Sequence, residues 1–320
     1  MPKVVVTGKI PQMALDRIKS LYDVWAWQEE TPISRAHLLQ EVKGASAIVS
    51  LLTEKVDEEL LSAAGDNLKV VCNVAVGYNN IDVASCLKRN LIVTNTPGVL
   101  TDATADISMS LILMTTRRLG EGERVIRSQK PWAWGMFYML GSSIQNRQLG
   151  IVGMGQIGMA TAKRAASFGM KIAYTRRNRL AENIEKELYA TYMTMDELLQ
   201  TSDVVSLHCP YSEKTHHLIS TKELSMMKNS AFLINTARGP IVDEAALVEA
   251  LVKKEITGAG LDVYEEEPKV NPGLLNLENV VLIPHLGSAT VETRTAMANL
   301  AIDNLISVLD GKGALNLVTA

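Results

Sequence analysis

Three segments in the C-terminal half of the chain each place one polar side chain just beyond an apolar run. They are Asn235-Thr236-Ala237-Arg238-Gly239, Leu261-Asp262-Val263-Tyr264-Glu265-Glu266-Glu267-Pro268 and Ile283-Pro284-His285-Leu286-Gly287-Ser288-Ala289-Thr290. Arg238, Glu267 and His285 together would suit carbonyl reduction. A carbonyl that accepts a hydride needs a proton donor titrating near neutrality, and an imidazole supplies one. A carboxylate beside that imidazole stabilises its charged form. A guanidinium binds a carboxylate while polarising the neighbouring carbonyl. Each residue alone has a plainer reading: Arg238 as a surface ion-pair former, Glu267 as part of a solvated acidic run, His285 as a satisfied core histidine. Their common placement at expected strand ends, where open α/β sheets bind ligands, favours one shared site.

A second signal lies upstream. Gly153-Met154-Gly155-Gln156-Ile157-Gly158 follows the apolar run Leu149-Gly150-Ile151-Val152 and opens a helical pattern from Gln156 to Phe168. Alone, G-x-G-x-x-G is weak. Between a strand and a helix it predicts a pyrophosphate cradle: the first glycine permits the turn, the second lets the phosphates approach, and the third lets helix and strand pack closely. Free N–H groups at the helix start, Gln156 and Ile157 among them, complete the cradle. The next strand ends in Tyr174-Thr175-Arg176-Arg177-Asn178-Arg179, with no acidic residue to receive ribose hydroxyls. Arg176 and Arg177 can pair with a 2'-phosphate, which predicts NADPH in preference to NADH, NADH remaining usable. A solvated basic turn is the plainer alternative.

The surrounding pattern alternates short apolar runs with amphipathic stretches, as parallel sheets with crossover helices require. In the first third, strands are expected at Lys3–Thr7, Ala47–Ser50, Lys69–Val74 and Leu91–Asn95. The helices between them are Gln12–Leu21, Ser34–Val42 with Ser34 as N-cap, Asp57–Ala64 and Asp82–Arg89. Beyond Pro97-Gly98 one long helix is expected from Asp102 to Ser128, although Gly120 and Gly122 weaken its second half. An aromatic segment, Pro131-Trp132-Ala133-Trp134-Gly135-Met136-Phe137-Tyr138, leads into a second series of six strands: Leu149–Val152, Lys171–Tyr174, Asp203–Leu207, Ala231–Asn235, Thr257–Leu261 and Val280–Ile283. A last helix, Val291–Leu309, is expected to cross back to the first unit.

Composition bounds the function. The 320 residues suffice for two domains, and a net charge of −3 without a long basic run offers nucleic acid no electrostatic footprint. No apolar stretch approaches the roughly 20 residues of a membrane span, and the short N-terminal run is no signal-peptide core. A cytoplasmic location is therefore expected. Cys72, Cys86 and Cys209 are scattered, and the His208-Cys209 pair is a weak basis for a metal site, so neither disulfide nor metal is expected. His216 and His217 read as exposed loop residues.

Taken together, these motifs resemble the D-isomer-specific 2-hydroxyacid dehydrogenases, and within them the glyoxylate/hydroxypyruvate reductases. The likeness spans nearly the whole chain and includes Val74-Ala75-Val76-Gly77-Tyr78-Asn79-Asn80-Ile81-Asp82 and Thr96-Pro97-Gly98-Val99-Leu100-Thr101-Asp102. It implies two doubly wound parallel-sheet α/β domains: a smaller flavodoxin-like substrate (lid) domain of residues 1–98 plus 287–320, and a Rossmann dinucleotide-binding domain of residues 99–286. It further implies that Arg238 binds substrate, Glu267 holds and tunes His285, and His285 donates the proton. Asp262 would meet the nicotinamide carboxamide, with Thr101 and Ala237 also on the cofactor. Leu51, Val76, Gly77 and Ser288 would contact the substrate, the amides of Val76 and Gly77 holding its carboxylate in an interdomain cleft whose closure excludes water. Trp134 matches an aromatic that reaches the partner's active site in a homodimer, although the aromatic segment can equally form a plain subunit contact. The expected reaction converts a small 2-keto acid to its D-2-hydroxy acid. A 2-ketogluconate reductase is a near alternative, since a wider cleft over Leu51-Leu52-Thr53 would admit a longer chain; a phosphoglycerate dehydrogenase fits less well. A cofactor-sensing, corepressor-like binding protein is the alternative of another class, disfavoured by the lack of low-complexity or basic recruitment segments.

Overall fold

The computed structural model describes residues 1–319. Among the described residues twelve strands form two wholly parallel sheets. The strands are β1 (Lys3–Val6), β2 (Asp23–Ala26), β3 (Ala47–Ser50), β4 (Val70–Asn73), β5 (Ile92–Thr94), β6 (Gln148–Val152), β7 (Lys171–Thr175), β8 (Ala190–Tyr192), β9 (Val204–Leu207), β10 (Phe232–Asn235), β11 (Gly258–Leu261) and β12 (Val280–Leu282). The chain divides into two compact units, one of residues 1–100 and 289–320, the other of residues 101–288.

The first unit holds a five-stranded sheet in the order β2-β1-β3-β4-β5. Side chains of a strand alternate between faces, and here both faces are covered, so the central strands read as unbroken apolar runs. Val5, Ile48 and Val71 turn to one face, against Leu38 and Leu60 of the helices Arg35–Glu41 and Glu58–Ala64. Val4, Val6 and Val49 turn to the other, against Leu15 and Ile18 of Gln12–Lys19 and Ile302 and Leu305 of Val291–Leu309. The last helix thus returns to this unit, begun by Thr290, whose side chain accepts the Thr293 N–H. Ser34, Asp57 and Asp82 cap their helices in the same way.

The second unit holds a seven-stranded sheet in the order β12-β11-β10-β9-β6-β7-β8. The order reverses direction at β6, beside β9, which creates the crevice at strand C-terminal ends where such sheets take ligands. Two differences from expectation are instructive. Strands β2 and β8 are additional, and both are short edge strands whose half-exposed residues carry little apolar signal. The expected helix Asp102–Ser128 is two helices, Thr101–Thr116 and Leu119–Arg127. It breaks because Arg118 takes a left-handed φ of 56° and the Thr116 carbonyl accepts the Ser142 N–H at 2.8 Å. Two β-branched threonines and two nearby glycines make this the weakest point of the run.

Ile302 is fully buried on the sheet of the first unit. Replacing it with alanine should cost about 2–4 kcal/mol in urea denaturation, and Ile302→Val only about 1 kcal/mol. Equal midpoints for the two variants would contradict this packing.

Candidate functional site

The glycine loop lies between β6 and the helix Gln156–Ser167. Gly153 has φ +95°, and a Cβ there would stand 2.5 Å from the Cys209 amide nitrogen; one on Gly158 would stand 2.7 Å from the Gly153 carbonyl oxygen. At Gly155 a Cβ would meet open space. The loop is therefore closed on the protein side and approachable on the other, and Gly155 caps the helix without any side chain. The first N–H groups of a helix have no partner within it, so those of Gln156 and Ile157 can receive a pyrophosphate. A dinucleotide fits this backbone.

The arginines after β7 have separate duties. Arg176 donates from Nη1 to the Met154 carbonyl at 3.0 Å, which lays its guanidinium along the glycine loop. Arg177 is exposed. Arg179 instead forms a two-pronged pair with Glu185, 2.8 Å at each oxygen, and the Glu185 carboxylate also accepts the Tyr174 hydroxyl at 2.5 Å. Those donors hold Glu185 down to about 2 in pKa against its desolvation. Across the loop, His208 bonds Ser206 at 2.9 Å; burial pushes its pKa down to about 4 and that of the Cys209 thiol up to about 11. This pair is a neutral floor beneath Gly153. Among the described residues no group of three or more His, Cys, Asp or Glu is placed to hold a metal, and no helix is long and apolar enough to cross a membrane.

Arg238, Glu267 and His285 come together at the ends of β10, β11 and β12. Nδ1 of His285 lies 2.7 Å from Oε2 of Glu267, and Oε1 of Glu267 accepts the Tyr264 N–H at 3.0 Å. Both carboxylate oxygens are thus engaged, and the imidazole is oriented with Nε2 as its remaining nitrogen. Burial works to raise the Glu267 pKa, but the hydrogen bond and charge of His285, the Tyr264 N–H and the charge of Arg238 hold it below the usual range. Arg238 is half-buried; desolvation lowers its proton affinity and Glu267 opposes that. Its turn is locked by Asn235, whose side chain accepts the Ala237 N–H at 3.0 Å and donates to the Arg238 carbonyl at 2.9 Å.

His285 itself sits at φ +51°, a conformation uncommon for a residue with a Cβ. Asp262 holds it there. The His285 N–H donates to the Asp262 carbonyl at 2.9 Å, and the Asp262 carboxylate accepts the N–H groups of Leu286 and Gly287. That carboxylate is almost fully buried and its pKa is raised by desolvation, against those donors and the charge of His285. Tyr264 adds a hydroxyl bond to the Ile283 carbonyl at 2.9 Å. Asn235, Tyr264 and the turn-holding role of Asp262 escaped sequence reasoning, although Asn235 and Tyr264 lie inside the very motifs that carried it.

The remaining expected residues fall as follows. Thr101 begins a helix of the second unit and Ser288 ends that unit. Leu51, Val76 and Gly77 lie in loops of the first unit. There Asn95 donates to the Val76 carbonyl at 2.8 Å and Asn73 to the Gly77 carbonyl at 2.9 Å. Because the peptide is planar and trans, fixing the Val76 carbonyl also fixes the Gly77 N–H, pointing the opposite way. Trp134 is 79% exposed in a segment with Trp132, Met136, Phe137 and Tyr138 also exposed. His216 is exposed as expected, but His217 is half-buried: its Nε2 contacts the Glu265 carboxylate and its N–H donates to the Pro240 carbonyl at 2.8 Å.

Residues 109–287 match the model of the D-isomer specific 2-hydroxyacid dehydrogenase, NAD binding domain. A glyoxylate reductase of Thermococcus litoralis is 47% identical over 99% of this chain and 96% of its own. A crystal structure of a glyoxylate reductase from Paecilomyes thermophila superposes with a TM-score of 0.90 at 36% identity, covering 99% of this chain and 98% of that one. The NADPH-dependent glyoxylate/hydroxypyruvate reductase of Sinorhizobium meliloti, crystallised with NADP and malonate, gives a TM-score of 0.84 at 33% identity, covering 99% and 97%.

The Glu185 network makes a prediction about acid stability. A carboxylate whose pKa is depressed on folding stabilises the fold above its unfolded pKa, about 4.3 for glutamate, and loses that contribution as pH falls through the folded value. With the folded value about 2, the urea midpoints of the native protein and Glu185→Gln should differ most near neutrality and converge between about pH 5 and pH 2. A gap that stays constant over this range would contradict the assignment.

Proposed function

The chain belongs to the D-isomer specific 2-hydroxyacid dehydrogenases, and from that premise we propose that it reduces glyoxylate and hydroxypyruvate to their 2-hydroxy acids, preferring NADPH. The carrying observation is the 2.7 Å contact between His285 Nδ1 and Glu267, with the charge of Arg238 close enough to act on that carboxylate. A bound nicotinamide dinucleotide supplies the hydride. Gly153, Gly155, Gln156, Ile157 and Gly158 would receive its pyrophosphate, and Thr101, Ala237 and Asp262 would contact the remainder.

His285, steered by Glu267, gives the Nε2 proton to the carbonyl oxygen as the new C–H bond forms. The imidazole gives up its Nε2 proton in that step while the Glu267 carboxylate holds the ring in place through Nδ1. Arg238 binds the keto acid and polarises its carbonyl, an interaction that strengthens as charge develops on oxygen. The amides of Val76 and Gly77 are assigned to the substrate carboxylate, and Leu51 and Ser288 to its flanks. Arg176 and Arg177 are assigned to the 2'-phosphate, since Arg179 is engaged by Glu185. The exposed run around Trp134 is assigned to a homodimer contact, because aromatic surface of this kind is characteristic of interfaces. Light scattering that finds only monomer at micromolar concentration would remove that last assignment.

Turnover with glyoxylate and hydroxypyruvate at fixed cofactor tests the whole reading. We expect kcat/KM with NADPH to exceed that with NADH by about 10-fold or more, and Arg176→Ala to erode the preference. His285→Ala should lower kcat by about 100-fold or more while cofactor affinity changes by less than about 2-fold. Cofactor binding without turnover would favour a sensor protein, and a preference for NADH would defeat the 2'-phosphate assignment.

A further inference from the structure

One buried acid of the second unit has no part in the proposed proton transfer. Glu244, 5% exposed, opens the helix Glu244–Val252 directly after its N-cap, Asp243. Its Oε1 accepts the Glu265 N–H at 2.8 Å. A carboxylate removed from water is costly unless a donor replaces the water, and here the donor is the backbone amide of Glu265, two residues before Glu267. The same segment is confined from other directions. A Cβ on Gly239 would stand 1.8 Å from the Tyr264 carbonyl carbon, so the turn following Arg238 packs directly on the Tyr264–Glu265 backbone. His217 engages the Glu265 side chain. The neighbouring Tyr264 N–H is the one that binds Glu267.

We propose that Glu244 is a positioning residue: by holding the Glu265 amide it fixes the backbone two residues before Glu267, so that Glu267 reaches the Tyr264 N–H and His285 together. The inference rests on the reading of Glu267 and His285 given above, and it extends the site to the start of the helix Glu244–Val252. Misplacing a catalytic group by about 1 Å can cost about 100-fold in rate. Loss of the Glu244 grip should therefore act on kcat, with little effect on binding.

The test is a double-mutant cycle between Glu244→Ala and Glu267→Gln, with keto acid reduction and backbone hydrogen exchange as readouts. Alone, Glu244→Ala should lower kcat by about 10- to 100-fold with KM for the keto acid within about 2-fold. In the Glu267→Gln background it should cost less than about 2-fold, because the group it positions is already disabled. Glu244→Gln, which keeps an acceptor oxygen, should recover most of the loss. Should Glu244→Ala not fold, Glu244→Asp withdraws the oxygens by one methylene and should give the same kinetic pattern. Exchange should rise across residues 264–267 in the variant. Losses that add fully in the cycle, or unchanged exchange in that segment, would overturn the inference. An unaltered enzyme without turnover would instead overturn the functional reading, and the exchange measurement would still decide the role of Glu244.

Discussion

A hydrogen bond of 2.7 Å between the His285 imidazole and the Glu267 carboxylate organises the second unit around one nitrogen atom. An imidazole can present either nitrogen, in two tautomers, and a rotating ring would offer a proton in no fixed direction. Engaging Nδ1 removes that freedom. The bond forms only because three strand ends each bring one element of it. After β12 the backbone places His285 at a positive φ; after β11 a curled segment carries Glu267 back toward it; after β10 the Asn235 turn sets Arg238 close enough to lower the Glu267 pKa.

Much of the structure near these strand ends compensates the cost of that arrangement. A histidine at φ +51° is disfavoured by its own Cβ, and the surroundings must over-determine it. Asp262 does so with its carbonyl and both carboxylate oxygens, at the expense of burying a charge. Glu244 repeats the device one segment away. The site is thus framed by two buried acids that bind backbone amides, a rigid support of the kind that pre-organised catalysis needs.

The sheets were legible because parallel strands buried on both faces are continuous apolar runs, as in Ala47–Ser50 and Leu149–Val152. The glycine loop was legible because no other residue allows both the turn at Gly153 and the packing at Gly158. Edge strands β2 and β8 were not, since a half-exposed strand of three or four residues has too little pattern to stand out from a loop. The helix break at Arg118 depends on where the Thr116 carbonyl finds its partner, Ser142, which lies 26 positions along the chain. Glu244 and His217 were hidden for the same reason: a carboxylate at a helix start and a histidine in a loop look solvated until tertiary structure brings amides and acids to them. The chemistry of Arg238, Glu267 and His285 could be anticipated from residue type and strand-end position, but the residues that hold them could not.

Catalysis depends on the direction of one N–H bond. A crystal structure of the enzyme with NADP and an unreactive mimic of a short 2-keto acid decides it most directly. His285 Nε2 is expected within about 3 Å of the oxygen that stands for the keto oxygen, with Nδ1 still on Glu267. A complex in which a different proton donor occupies that position, while His285 lies beyond hydrogen-bond reach of the mimic, would contradict it.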